Sequence, residues 1–188
     1  MDVVVLASGS GTLTQALIDA IEAGEVPARI AAGVSDQPTA GVPERARRHG
    51  IPAVAHPFDR GGDRAAWDAR LTEIVDGYAP ELVVSAGFMK LLGPAFLARF
   101  EGRTINTHPA LLPSFPGMHG PRDALRAGVK VAGATVFVVD AGVDTGRILA
   151  QGAVGVLDDD TVESLHERIK VVERRLLVDV VRNWRKQQ

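Results

Sequence analysis

Short apolar runs alternate with longer segments of helical period along almost the whole chain, and this alternation restricts the fold more than any other feature. Val3 to Ala7, Arg29 to Val34, Ala53 to His56, Leu82 to Ala86 and Thr104 to His108 read as five strands. Between them, helices are expected from the Ser8–Thr12 loop to about Ala23, over Pro43 to His49, over Arg64 to Tyr78 and over Pro94 to Phe100. Strands separated in this way pair in parallel and need helices on both faces of the sheet. Beyond a Pro- and Gly-rich loop, Pro109 to Gly120, come a short helix, Pro121 to Ala127, and two strands, Val131 to Val139 and Ile148 to Val156. A long last helix follows, with Asp160 as its cap and Glu163 reaching back. Val162, Leu165, Ile169, Val172 and Leu176 form its apolar stripe. The expected class is α/β: a doubly wound, mostly parallel twisted sheet with strands added toward the C-terminus.

A chain of 188 residues suits one domain with a full core. The formal net charge of −2 gives no reason to expect nucleic acid as a partner. The absence of cysteine excludes a disulfide framework, a thiol nucleophile and a Cys-ligated metal. Met1-Asp2-Val3 lacks the basic start of a signal peptide, and the most apolar stretch, Val131 to Val139, is too short to span a bilayer. A soluble, cytoplasmic protein is expected, with Arg185 to Gln188 as a frayed end.

In open α/β sheets ligands sit at the carboxyl ends of strands. Ser8–Thr12, Ala86–Leu92 and Asn106–Pro113 all fall there. Ser8-Gly9-Ser10-Gly11-Thr12 joins a strand to a helix; its glycines permit a tight turn, and the helix start favours an anion. As a dinucleotide fingerprint it is incomplete, because Thr14 stands at the third glycine position, although Asp36 after the second strand keeps that reading open. A plain tight turn is the alternative. Asn106 and His108 share one face of their strand and Thr107 takes the other. An amide beside an imidazole can hold an oxyanion and handle a proton, or simply cap a strand end. Asp140-Ala141-Gly142-Val143-Asp144-Thr145-Gly146 is either turn chemistry or the source of a carboxylate that orients a histidine and raises its pKa. Asp144-Thr145-Gly146 is the tripeptide of aspartic proteases, but those need a second copy, and there is none. Lys170 and Glu173 are neighbours on the last helix, either solvated or part of a site. The five histidines lack zinc-ligand spacing, so no metal is expected.

From Val3 to about Trp184 these segments resemble the phosphoribosylglycinamide formyltransferase family. The most specific stretch is Ile105-Asn106-Thr107-His108-Pro109-Ala110-Leu111-Leu112-Pro113, continued by Ser114-Phe115-Pro116-Gly117-Met118-His119. Ala86-Gly87-Phe88-Met89-Lys90-Leu91-Leu92, the Ser8–Thr12 loop, Asp144 and Glu173 are also typical. Methionyl-tRNA formyltransferase, sugar-amine formyltransferases and formyltetrahydrofolate hydrolase share the Asn, His and Asp. The purine branch is favoured by Pro109, by Pro116–His119 and by the chain's extent, which leaves no second domain or regulatory extension. Two departures are Leu13, where many members carry Asn, and a short C-terminus where relatives often continue.

The resemblance implies a Rossmann-like formyltransferase fold over residues 1–188, with about 1–100 serving phosphate and substrate and about 101–188 serving catalysis and folate. It implies formyl transfer from 10-formyltetrahydrofolate, as co-substrate, to glycinamide ribonucleotide, without metal, by a monomer or homodimer. It implies Asn106, His108 and Asp144 as catalytic residues. Gly11, Thr12, Leu13, Lys170 and Glu173 fall at the ribonucleotide. Arg64, Met89, Lys90, Leu91, Leu92, Asn106 and Asp140, Ala141, Gly142, Val143 and Asp144 fall at the folate. The competing expectations are an NAD-dependent enzyme, resting on Gly9-Ser10-Gly11 and Asp36, and a non-catalytic binding module for a sugar phosphate.

Overall fold

The computed structural model describes residues 1–59 and 61–186. Among these are seven strands: β1 (Asp2–Leu6), β2 (Arg29–Ser35), β3 (Ala53–Ala55), β4 (Leu82–Ser85), β5 (Thr104–His108), β6 (Val131–Val138) and β7 (Ile148–Gly155). Six α-helices accompany them: α1 (Thr12–Glu22), α2 (Gly41–Arg48), α3 (Arg64–Asp76), α4 (Pro94–Arg99), α5 (Gly120–Arg126) and α6 (Val162–Asn183). The strands form a mostly parallel sheet in the order β3-β2-β1-β4-β5-β6-β7, so the expected α/β class is observed. The chain divides into two compact units, Met1–Asn106 and Thr107 onward.

In the first unit β1 pairs in parallel with both β2 and β4, and β2 pairs with β3. Val3, Val4, Val5 and Leu6 are fully buried, which is why β1 reads as an unbroken apolar run rather than an alternation. One face of the sheet meets α3 and α4 through Trp67, Leu71, Val75, Phe96 and Phe100, and the last two rings pack with centroids 4.7 Å apart. Leu71 is fully buried, and truncating such a leucine to alanine costs about 2–5 kcal/mol. Asp63 starts α3 by accepting hydrogen bonds from the Ala65 and Ala66 amides. α3 stops at Asp76, two residues before the expected end, because Gly77 caps it and Ala79 turns to φ 45°.

In the second unit β6 and β7 are antiparallel, paired from Val131↔Gly155 to Phe137↔Ile148. α6 packs on both strands and buries Leu165, Ile169, Leu176, Leu177, Val180 and Val181. Two expectations for α6 are corrected. Its cap is Thr161, whose hydroxyl accepts from the Ser164 amide while Ser164 Oγ answers to the Thr161 amide. Asp160 is instead drawn into an ion pair with Arg168 on α6 and accepts from the Leu157 amide. Val162 is exposed and Val172 half-buried, because the buried stripe shifts toward Leu177, Val180 and Val181. Trp184 to Lys186 form a 3-10 turn with the Trp184 ring buried; of the expected frayed end, Gln187 and Gln188 lie outside the described residues. The strand Thr104–His108 has the expected bounds, and the other expected boundaries lie within two residues of those observed.

Candidate active site

In the first unit, the loop between β1 and α1 is shaped from α2. Gly11, the residue before α1, has φ 75°, and a Cβ there would stand 2.7 Å from Val42 Cγ2, so any other residue is strained there. The Gly41 amide donates to Gly9 O at 3.0 Å and Arg45 Nε donates to Ser10 O at 2.8 Å. No side chain among the described residues caps α1, and its first turn carries no acidic residue. Its leading N–H groups, with the positive end of the helix dipole, suit an anion. Thr12 is exposed and Leu13 half-buried in that first turn. A cleft of about 550 Å³ adjoins the loop, lined among others by Ser8, Ser10, Asp36, Gln37, Met89 and Lys90.

The segment after β4 is held by side chains from three elements. Ser8 Oγ accepts from the Met89 amide at 2.7 Å and donates to Asp36 Oδ1 at 2.5 Å. Lys90 Nζ lies 3.1 Å from Asp36 Oδ2. Arg64 donates to Leu91 O and stacks its guanidinium 4.2 Å from the Trp67 ring centroid. One turn along α3, the buried Asp68 accepts from the amides of Gly93, Ala95 and Phe96 and so caps α4 from outside. Met89 and Leu91 are left with exposed apolar side chains.

Asn106 is half-buried and stands opposite Ser85 on the β4–β5 ladder. In the second unit His108, 5% exposed, has an acceptor at each ring nitrogen. Nδ1 is 3.5 Å from Asp144 Oδ2 and Nε2 is 2.8 Å from Phe115 O. Asp144 is itself aimed: its backbone has φ 56° and its Oδ2 accepts from the Gly117 amide at 2.7 Å. Upstream in the same turn Asp140 Oδ1 accepts from the Gly142 amide and Thr145 Oγ1, leaving Val143 exposed. The loop after His108 is fastened by β6 and β7, where Thr135 Oγ1 donates to Ala110 O and Gln151 Nε2 to Leu112 O.

On α6, burial pushes the Glu173 carboxyl up to about 7, against the opposing pull of a hydrogen bond from Thr107 and the charges of Lys170 and Arg174. Lys170 pairs with Glu167 at 2.6 Å.

The structure therefore brings together His108 with Asp144, Glu173 with Thr107, and Arg64 with the Met89–Leu92 segment. Asp36, which kept the dinucleotide reading open, has its side chain fully buried and engaged by Ser8 and Lys90, so it offers no exposed oxygen to a ribose diol. Asp68 and Arg45 escape a sequence reading because their partners lie 25 or more residues away; the one local hint is that Asp68 follows Arg64 by one helical turn. Among the described residues no group of three or more His, Asp or Glu could hold a metal ion, and no helix is long and apolar enough to cross a membrane.

Residues 1–181 match the family model described as formyl transferase. A phosphoribosylglycinamide formyltransferase of Mycobacterium tuberculosis is 56% identical over 179 residues, 95% of this chain and 82% of the relative. That of Bacillus subtilis is 39% identical over 95% of this chain and 91% of its own length. The crystal structure of glycinamide ribonucleotide transformylase 1 from Symbiobacterium toebii superposes with a TM-score of 0.96 at 44% identity, covering 100% of this chain and 88% of that one. Fold and sequence agree: the chain belongs to the formyl transferase family, among the phosphoribosylglycinamide formyltransferases.

Proposed function

We propose that this protein transfers a formyl group from 10-formyltetrahydrofolate to the amine of glycinamide ribonucleotide, in the cytoplasm, as a step of purine biosynthesis. The names of its relatives support the acceptor and the reaction. The observation that carries the chemistry is His108, with a carboxylate at one ring nitrogen and a carbonyl oxygen at the other.

In this reading the substrate amine attacks the formyl carbon. A C–N bond forms, the carbonyl oxygen takes up negative charge, and the tetrahedral adduct then releases the folate nitrogen, which receives the proton the amine gives up. Asn106 Nδ2–H and His108 Nε2–H donate to the oxyanion. The Phe115 carbonyl already accepts from Nε2, so the oxyanion replaces one acceptor oxygen by another. Asp144 faces Nδ1 and orients the ring. Gly11, Thr12 and the first turn of α1 hold the substrate phosphate, with Leu13 beside it and Lys170 as a supporting cation; Glu173 positions the ribonucleotide. Arg64, Met89, Lys90, Leu91 and Leu92 and the turn Asp140, Ala141, Gly142, Val143 and Asp144 bind the folate. No step in this sequence calls for a metal ion.

Mixing the protein with both substrates and following folate absorbance tests the assignment. Deformylation that depends on the ribonucleotide is expected; a protein that releases formate regardless of the ribonucleotide, or leaves the folate unchanged, sinks it.

A further inference from the structure

Asp36 does not serve the reaction as drawn, yet it is among the most completely engaged groups of the first unit. Its side chain is fully buried at the carboxyl end of β2. Oδ1 takes the Ser8 hydroxyl at 2.5 Å, and Oδ2 faces Lys90 Nζ at 3.1 Å and Gln37 Nε2 at 3.4 Å. Ser8 passes the connection on, since its Oγ accepts from the Met89 amide at 2.7 Å and its own amide donates to Gly87 O at 3.1 Å. Three neighbouring strand ends, β2, β1 and β4, are thereby tied through one carboxylate. The tie ends on the backbone and the side chain of two consecutive residues, Met89 and Lys90. A charged acceptor makes shorter, stronger hydrogen bonds than a neutral one, so the arrangement is stiff. Loop residues are otherwise the first to open locally.

We propose that Asp36 is a positioning residue for the formyl donor, setting the backbone of Met89 to Leu92 through Ser8 and through Lys90. The inference rests on the reading that this segment binds the folate. The side chain of Lys90 is turned to Asp36, so its part in donor binding is to fix its own backbone. Ser8 belongs at once to the Gly9–Thr12 loop, but that loop has independent support from Gly41, Val42 and Arg45. Loss of Asp36 therefore falls on the donor side.

Asp36→Asn tests this with little change of shape. The amide still accepts from Ser8 but offers Lys90 an N–H instead of a negative oxygen, which releases the ammonium to solvent. A rise of about tenfold in KM for 10-formyltetrahydrofolate is expected, the worth of one charge-assisted contact. KM for the ribonucleotide and kcat should stay within about twofold, a split that a general loosening of the fold would not give. Ser8→Ala leaves the Asp36–Lys90 pair in place and should raise the donor KM likewise; it carries the test if the Asn variant folds poorly. Amide hydrogen exchange gives a second readout without substrates. The Met89 amide should exchange about tenfold faster in Asp36→Asn while Leu71 in α3 is unchanged. An unaltered donor KM, a shift in the ribonucleotide KM instead, or unaltered exchange at Met89 would overturn the proposal. A wild-type protein without formyl transfer, but with Met89 protection that depends on Asp36, would refute the assigned reaction and leave the tie standing.

Discussion

Asp36 and Glu173 are both buried carboxylates, one in each compact unit, and the fold treats them in opposite ways. Asp36 is given an ammonium group at 3.1 Å and a hydroxyl at 2.5 Å. Glu173 has a threonine hydroxyl, with Lys170 and Arg174 acting only through their field, and burial outweighs them. The first carboxylate is tied to a cation and a hydroxyl and organises loops. The second is poised to gain or lose a proton near neutrality. The same contrast runs through the two units. The first engages Asp36 and Asp68 with a cation, a hydroxyl and backbone amides, whereas the second holds its histidine between two acceptors, one of them Asp144 at the longer distance of 3.5 Å. In the first unit these carboxylates hold loop backbone in place; in the second, Glu173 is raised toward neutrality and His108 carries the chemistry proposed above.

The strongest way to break this contrast is to remove the groups assigned to the oxyanion. His108→Ala and Asn106→Ala should each lower kcat about 10²–10³-fold, roughly 3–4 kcal/mol in the barrier, with donor affinity by equilibrium titration nearly unchanged. Near-normal turnover in His108→Ala would remove the second unit's claim to the chemistry, and in Asn106→Ala the oxyanion role proposed for the end of the first. Asp144→Asn should cost less than His108→Ala but more than about tenfold in kcat, since the ring loses a charged partner while the Phe115 contact remains.

Glu173 sharpens the comparison through pH. Its carboxyl is raised to about 7 in the folded protein, above the 4.5 of a free glutamate. The unfolded chain therefore loses this proton first as pH rises, and stability should fall between about pH 4.5 and pH 7, then level off. The full effect is about 3 kcal/mol. Glu173→Gln should abolish that slope, which urea unfolding across the pH range will read. An identical slope in both proteins would mean that Glu173 does not carry it.

Asp68→Ala probes the other side, because it strands three amides at the start of α4. A loss of about 2–3 kcal/mol is expected in urea unfolding. The smallest effect is expected at Gly11→Ala, about 1–2 kcal/mol from its positive φ and the close approach of Val42, with a raised KM for the ribonucleotide and none for the donor. A change in the donor KM instead would blur the division of labour.

Much of this was legible in the sequence because it follows from local chemistry. Fully buried strands such as Val3–Leu6 must be apolar throughout, and Asn106 and His108 must share a strand face. The cap of α6 was misread for an equally physical reason. Asp160 and Thr161 are both able caps, each with a partner three residues on, and the choice was made by Arg168, two turns along the helix, which takes Asp160 away. The ties that hold the loops after β1 and β4 had no local signature. Arg45 reaches Ser10 across 35 residues and Asp68 reaches Gly93 across 25, and period and propensity carry no information over such separations. Asp36 was visible as an acidic residue after β2 but suggested a ribose; what excludes that is Lys90, 54 positions later.

The support that α2 gives to the glycine loop has a bearing on protein engineering. Gly9, Ser10 and Gly11 owe their shape to Gly41, Arg45 and Val42, three residues on one later helix. A graft of Ser8 to Thr12 into another scaffold would carry the residues and leave behind their mould. The smallest transferable piece runs from β1 through the end of α2, at Arg48, because only that length brings its own template.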